Sequence, residues 1–236
     1  MAIKFTTTKD AANMHGVKML VYGKAGMGKT TLCKTAPKPI IISAESGLLA
    51  LSDVDIPVIE VNCVDTLSEA YQWATESEEA NKFETICLDS LSEIAEVVLS
   101  NSKKLTKDPR QAYGELIEKM SDLVRAFRDI KGKHVYMSAK QEYIRDEIVG
   151  RLSYGPSMPG TKLGQQLPYF FDELFQLDIA KTDDGADYRY LRTQPDIQFD
   201  AKDRSGVLDA IEEPDITKII KKITTKLKPK KTTKNG

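Results

Sequence analysis

The segment Gly23-Lys24-Ala25-Gly26-Met27-Gly28-Lys29-Thr30 has the residue types and spacing of a phosphate-binding loop, G-x-x-x-x-G-K-[ST]. Glycines let backbone amides curl around a β-phosphate, and a helix opening at Lys29 adds the partial positive charge of its amino terminus. Lys29 is the cation for the β- and γ-phosphate oxygens, and Thr30 offers a hydroxyl to Mg²⁺. Thr31 continues the first turn and counts among the nucleotide-binding residues. The ligands implied are ATP and Mg²⁺.

Two acids complete the chemistry. Thr85-Ile86-Cys87-Leu88-Asp89-Ser90 is an apolar stretch ending in a carboxylate and resembles a Walker B segment. There Asp89 would hold Mg²⁺ through water, because that ion keeps most of its hydration shell and takes few direct protein ligands. The plainer role for Asp89 is to cap the helix that begins at Leu91. Hydrolysis also needs a group to orient or deprotonate water. Glu45 follows the apolar run Ile40 to Ser43, at the carboxyl edge where that water would sit. A helix cap or a surface acid is the alternative for Glu45.

These groups meet only if a sheet brings them together. Short apolar runs at Val17 to Tyr22, Ile40 to Ser43, Val58 to Val61, Thr85 to Asp89 and His134 to Ser138 read as buried parallel strands. Helical periodicity fills the intervals near Lys29 to Thr35, Leu67 to Ser77, Leu91 to Ser100 and Tyr113 to Ile130. The order is βαβα, which predicts an α/β fold with a largely parallel central sheet and helices on both faces. After Ser138, Gln141 to Tyr154 reads as a β-ribbon and Gly155 to Gly160 as a loop. Glu173 to Ala180 is expected to pair with Tyr188 to Thr193 across a turn at Asp183 to Gly185, an antiparallel carboxyl-terminal extension. The expected division is an extension at 1–16, a core at 17–211 and a disordered lysine-rich tail at 212–236.

Three of these stretches resemble a RecA core. Ile41-Ile42-Ser43-Ala44-Glu45 is similar to the RecA strand that runs into Asp-Ala-Glu, whose Glu polarises water. Asp89-Ser90 resembles the Asp-Ser pair of RecA's second acidic strand, and Val135 to Gln141 its strand leading to a phosphate-sensing Gln. AAA+ proteins usually place their Glu beside the Walker B Asp, and here that neighbour is Ser90. The resemblance is closest to the short RecA/RadB-like ATPases of bacteriophages, a group that includes single-strand annealing proteins of phage recombination. It covers Val17 to Leu208.

What the resemblance implies is an ATPase that binds single-stranded DNA and promotes annealing or strand pairing, working as a ring or filament of copies, with a single-strand DNA-binding protein as a further partner. Either Lys140 or Gln141 would face the γ-phosphate. Ala201 to Gly206 resembles the K-x-R element with which KaiC- and DnaB-like relatives reach a neighbour's nucleotide, which makes Lys202 and Arg204 catalytic candidates. A solvated charged turn is the other reading. DNA contact would come from two loops, Asn101 to Tyr113 with Lys103, Lys104, Lys107 and Arg110, and Gln141 to Lys162 with Tyr143, Arg145 and Arg151. Cations that track phosphates and rings that stack on bases suit a single strand. The competing function is a nucleotide-gated switch or assembly ATPase acting on a protein partner without DNA. A small-molecule kinase fits less well, because Gly155 to Gly160 holds no Arg for a lid.

Composition agrees with a globular domain, at 41 % hydrophobic and 29 % charged over 236 residues. No apolar run approaches the roughly 20 residues of a membrane span. Without a signal-peptide core near Met1, the expected location is the cytoplasm, that of a bacterial host for a phage protein. Cys33, Cys63 and Cys87 read as reduced core residues. The stretch from Ile216 to Gly236 holds eight of the 34 basic residues and none of the 35 acidic ones, a charge that suits a polyanion or simply solubility.

Overall fold

The computed structural model describes residues 5–8, 16–45, 48–145, 150 and 152–227. Its centre is strand β1 (Lys18–Gly23), buried along its whole length. The phosphate loop leads from it into a single α-helical turn, α1 (Lys29–Leu32), continued by a 3-10 turn at Cys33–Thr35. Then follow β2 (Pro39–Ser43), β3 (Val58–Glu60), α2 (Val64–Glu76), β4 (Thr85–Asp89), α3 (Leu91–Leu105), α4 (Pro109–Arg128) and β5 (His134–Arg145). The carboxyl third contributes β6 (Leu152–Ser157), α5 (Thr161–Phe170), β7 (Glu173–Lys181), β8 (Asp187–Arg192), two short strands β9 (Lys202–Asp203) and β10 (Ile211–Glu212), and α6 (Ile216–Leu227).

Six strands run parallel in the order β7-β1-β5-β4-β2-β3, so β5 lies between the loop-bearing strand and the strand that ends in Asp89. Beyond β7, β8 and β10 add antiparallel; β6 pairs with β5 and β9 with β7, also antiparallel. Strand alternation sorts the core into two layers. Leu20, Tyr22, Ile42, Leu88 and Met137 meet α2, α3, α4 and α5 on one face. Met19, Val21, Ile41, Cys87, Tyr136 and Phe175 meet α1 and α6 on the other. The expected parallel sheet with helices on both faces is the architecture observed.

Five local expectations need correction. β7 is parallel to β1, because α5 makes the crossover that a parallel strand requires. That helix contains Pro168, and the glycines before it read as a loop; Gly155 to Ser157 in fact pair with β5. The segment Asn101 to Tyr113 is the end of α3 and the start of α4, with only a short turn between them. From 216 to 227 the supposed tail is helix: Ile216, Ile219, Ile220 and Ile223 recur at helical spacing and are buried beside Leu32 and Cys33. Lysines on the outer face of that helix masked the apolar stripe; residues 228–236 lie outside those described. Finally, Cys33 and Cys87 are buried free thiols, but Cys63 is exposed just before α2.

Candidate active site

The phosphate loop needs glycine for two separate reasons. A Cβ at Gly23 would lie 2.7 Å from the Leu177 carbonyl oxygen of β7, so the strand pairing itself forbids a side chain there. Gly28 has φ +101, in the region that favours glycine, and as the residue before α1 it offers no side-chain cap. The amides of the first turn, which no helix can satisfy internally, therefore have no side-chain cap and face the loop. A single turn has little macrodipole, so an anion bound here would be held by the amides rather than by a long helix. Tyr136 fixes the turn from below, its hydroxyl donating to the Lys29 carbonyl at 2.7 Å.

Lys29 folds back over the loop and donates to the carbonyls of Gly23 at 2.9 Å and Lys24 at 3.0 Å. Burial pulls its ammonium below the usual lysine range, while Asp89 and Glu45 act in the opposite direction. Thr30 Oγ1 donates to Asp89 Oδ2 at 2.6 Å, and Ser138 Oγ to Asp89 Oδ1 at 2.5 Å. Asp89 is thus a buried carboxylate with both oxygens engaged by hydroxyls from α1 and β5. The Thr30 and Asp89 oxygens are the hard donors that Mg²⁺ prefers. Among the described residues no group of three or more His, Cys, Asp or Glu side chains could hold a metal ion unaided. A cation here would draw its other ligands from water and phosphate, as Mg²⁺ does in phosphate sites.

Glu45 approaches from β2. Ser90 Oγ donates to Glu45 Oε1 at 2.8 Å, and the same Ser90 oxygen caps α3 by accepting the Glu93 amide at 3.4 Å. The cap thus belongs to Ser90, which leaves the Asp89 carboxylate to Thr30 and Ser138. The two candidates on β5 separate by strand alternation. Lys140 shares a face with Tyr136 and Ser138, and its ammonium pairs with Glu93, which with Glu45 nearby holds the group above the usual lysine range. Gln141 lies on the opposite face with Ala139, its Oε1 buried without a partner among the described residues.

The remaining candidates lie elsewhere. β9 pairs with Glu173 and Leu174, which in turn pair with Met19 and Leu20, so Lys202 and Arg204 sit toward the end of the sheet opposite the loop. Arg204 is ion-paired with Asp172 at 2.9 Å, and Lys202 Nζ donates to the Pro168 carbonyl at 2.6 Å. Lys103 and Lys104 occupy the last turn of α3, Arg110 the first turn of α4, and Lys107 the turn between; all are exposed. The Lys103 ammonium stands 5.6 Å over the Tyr113 ring, and a Cβ at Gly160 would lie 3.2 Å from that ring, so the two supposed DNA segments abut. Tyr143 and Arg145 are exposed near the tip of the β5–β6 hairpin, and Arg151 lies outside the described residues. Reading residues alone missed Ser138 and Tyr136, whose roles depend on strand register, the helix-capping and Glu45-holding role of Ser90, and Arg189 of β8, whose Nε donates to the Met27 carbonyl at 2.9 Å.

A family model described as AAA domain matches residues 15–205, most of the chain and the whole of this site. The chain belongs to the AAA domain family. A search of curated proteins finds no match. Among solved structures, a KaiC-like protein from the hyperthermophilic archaeon Pyrococcus horikoshii OT3 is similar at 14 % identity and a TM-score of 0.44, over 76 % of this chain and 81 % of that one. Within this AAA domain the residue after the acidic strand's Asp89 is a serine, and the nearby Glu comes from a different strand. Among the described residues no helix is long and apolar enough to cross a membrane.

Proposed function

We propose that this AAA domain is a Mg²⁺-dependent ATPase that binds single-stranded DNA and promotes annealing or strand pairing in phage DNA recombination, as a ring or filament of copies. The observation that carries the ATPase reading is the convergence of the Thr30 and Ser138 hydroxyls on the two Asp89 carboxylate oxygens, at 2.6 and 2.5 Å, beside Lys29 and the Glu45–Ser90 pair. Three strands and one helical turn supply these groups to one point. When bound, Mg²⁺ would neutralise charge on the phosphate oxygens. Lys29 would exchange its two loop carbonyls for β- and γ-phosphate oxygens. Glu45, oriented by the Ser90 hydroxyl, would accept a proton from water as the water oxygen bonds to the γ-phosphorus and the bridging P–O bond breaks. Lys140, on the same face, is the better placed of the two sensing candidates.

The DNA reading draws on α3. Its first residue follows Ser90, and its 15 residues, about 22 Å along the axis, carry Lys103 and Lys104 in the last turn. A shift at Ser90 on loss of the γ-phosphate would be carried along a rigid element to those cations. The deciding experiment is the rate of ATP hydrolysis with and without single-stranded DNA. Stimulation that falls with salt supports the reading; an unchanged rate, with hydrolysis present, sends the protein to the switch or assembly class.

A further inference from the structure

Apart from Thr30 of α1, the acids and hydroxyls that would surround a γ-phosphate, Asp89, Ser138, Glu45 and Ser90, lie on β4 and β5 or just after β2 and β4, which are all on one side of β1 in the sheet. A nucleotide with its γ end there must run its α-phosphate and nucleoside toward the other side of β1, over β7 and β8. On that flank Lys181 is ion-paired with Asp187, whereas Arg189 reaches the loop. Arg189 pairs with Ile179 in the β7–β8 ladder and, by alternation with buried Leu191, lies on the same face as α1. Its Nε donates to the Met27 carbonyl at 2.9 Å, and a Cβ at Gly28 would lie 3.6 Å from that nitrogen. The side chain therefore rests against the phosphate loop itself, 162 residues away in sequence.

The guanidinium is only partly used. Nε is spent on the loop carbonyl, whereas neither terminal nitrogen has a protein acceptor among the described residues, and the residue is exposed. A planar fork fixed at one nitrogen and presenting the others is arranged for a phosphate oxygen. We propose that Arg189 binds the α-phosphate end of the nucleotide within its own subunit, anchored through Met27. This rests on the nucleotide site proposed above and adds to it a residue outside the loop motif. Because an α-phosphate is common to ATP and ADP, Arg189 would grip both alike and contribute to occupancy more than to the chemical step.

The test is calorimetric titration of Arg189→Ala and Arg189→Lys with ADP and with a slowly hydrolysed ATP analogue, at fixed Mg²⁺, alongside steady-state hydrolysis. The expected result is a dissociation constant raised about 10-fold for both nucleotides in Arg189→Ala, the loss of one charge-assisted contact. Its kcat at saturation should stay within about twofold, and Arg189→Lys should recover part of the affinity because it keeps the charge. Thermal melts without nucleotide should coincide, since the side chain is exposed and makes a single hydrogen bond. Unchanged affinity in Arg189→Ala would overturn the contact, as would a loss confined to the triphosphate, which would move the residue to the γ end. Absence of any gain from lysine would assign the effect to the shape of the loop and likewise overturn it. If the unmodified protein bound neither nucleotide, the site reading itself would fail, a result separable from failure of Arg189 alone.

Discussion

Asp89 and Glu173 are both carboxylates at the margins of the same sheet, 1 % and 2 % exposed, on the same face. Their surroundings differ. Asp89, at the carboxyl end of β4, is met by the hydroxyls of Thr30 and Ser138. Glu173, at the amino end of β7, is met by a second carboxylate, Asp203, and burial together with that neighbour pushes it up to about 8. Asp203 takes the ionised role: it accepts from Ser205 Oγ and from the Gly206 and Leu208 amides, and stays below the usual aspartate range. Equal burial thus leaves one acid among hydroxyl donors and the other beside a second acid, where it keeps a proton. What decides is the supply of donors. One end of the sheet is the one we propose for ligand chemistry, whereas the other holds β9 against β7.

That contrast predicts activity losses without stability losses at the carboxyl end. Lys29→Ala is expected to reduce hydrolysis by about 10³-fold or more, since it removes the cation aimed at the transferring phosphate, while leaving the melting temperature close to the unmodified value. Near-normal turnover would end the assignment of the loop. Arg204→Ala could break the contrast, because Arg204 lies at the structural end yet is a candidate finger for a neighbouring subunit. If it has that role, hydrolysis drops by about 10³ to 10⁵ with ATP affinity nearly intact. Mixing it with Lys29→Ala protein should then restore some activity, through interfaces that combine one intact loop with one intact finger. Full activity of the single variant would leave Arg204 with its Asp172 pair alone. Glu45→Gln should come next, slowing hydrolysis by about 10² to 10⁴ while ATP·Mg²⁺ still binds; a failure of binding would make Glu45 structural.

The parts of the molecule legible in the sequence are those whose signals are local. The loop, the apolar run into Asp89 and the strand before Glu45 each declare themselves within eight residues, because a strand end and the turn after it are encoded together. Ser138 did not, since a serine in an apolar strand has meaning only once β5 is known to lie between β1 and β4. Arg189 is one charged residue of a hairpin until that hairpin is placed beside Met27. α5 was hidden by Pro168, which the packing of Leu163 and Leu167 outweighs. α6 was hidden by its lysines, although the spacing of its four isoleucines was in view.

The last prediction tests the structural end alone. Glu173 has its folded value raised from about 4.5 to about 8, so between those limits the native state keeps a proton that the unfolded chain has released. Its contribution to stability is therefore complete below pH 4.5 and is lost as pH rises toward and through 8. At 1.36 kcal/mol per unit the full loss is about 5 kcal/mol as an upper figure. Two other buried groups titrate with the opposite sign in separable ways. Lys18, lowered to about 8, adds stability only as pH rises above that value. His134, lowered by burial and by Lys18, contributes near its ordinary range and does so equally in any Glu173 variant. Glu173→Gln keeps an N–H to donate to Asp203 but cannot ionise. Denaturant melts at pH 5 and pH 8 should thus show the unmodified protein losing stability relative to the variant, with the difference between them growing across that interval. Hydrolysis per folded molecule should be the same in both. Parallel stability curves would mean that Asp203 and Glu173 do not share a proton, and an activity loss in the variant would show that the two ends of the sheet are coupled.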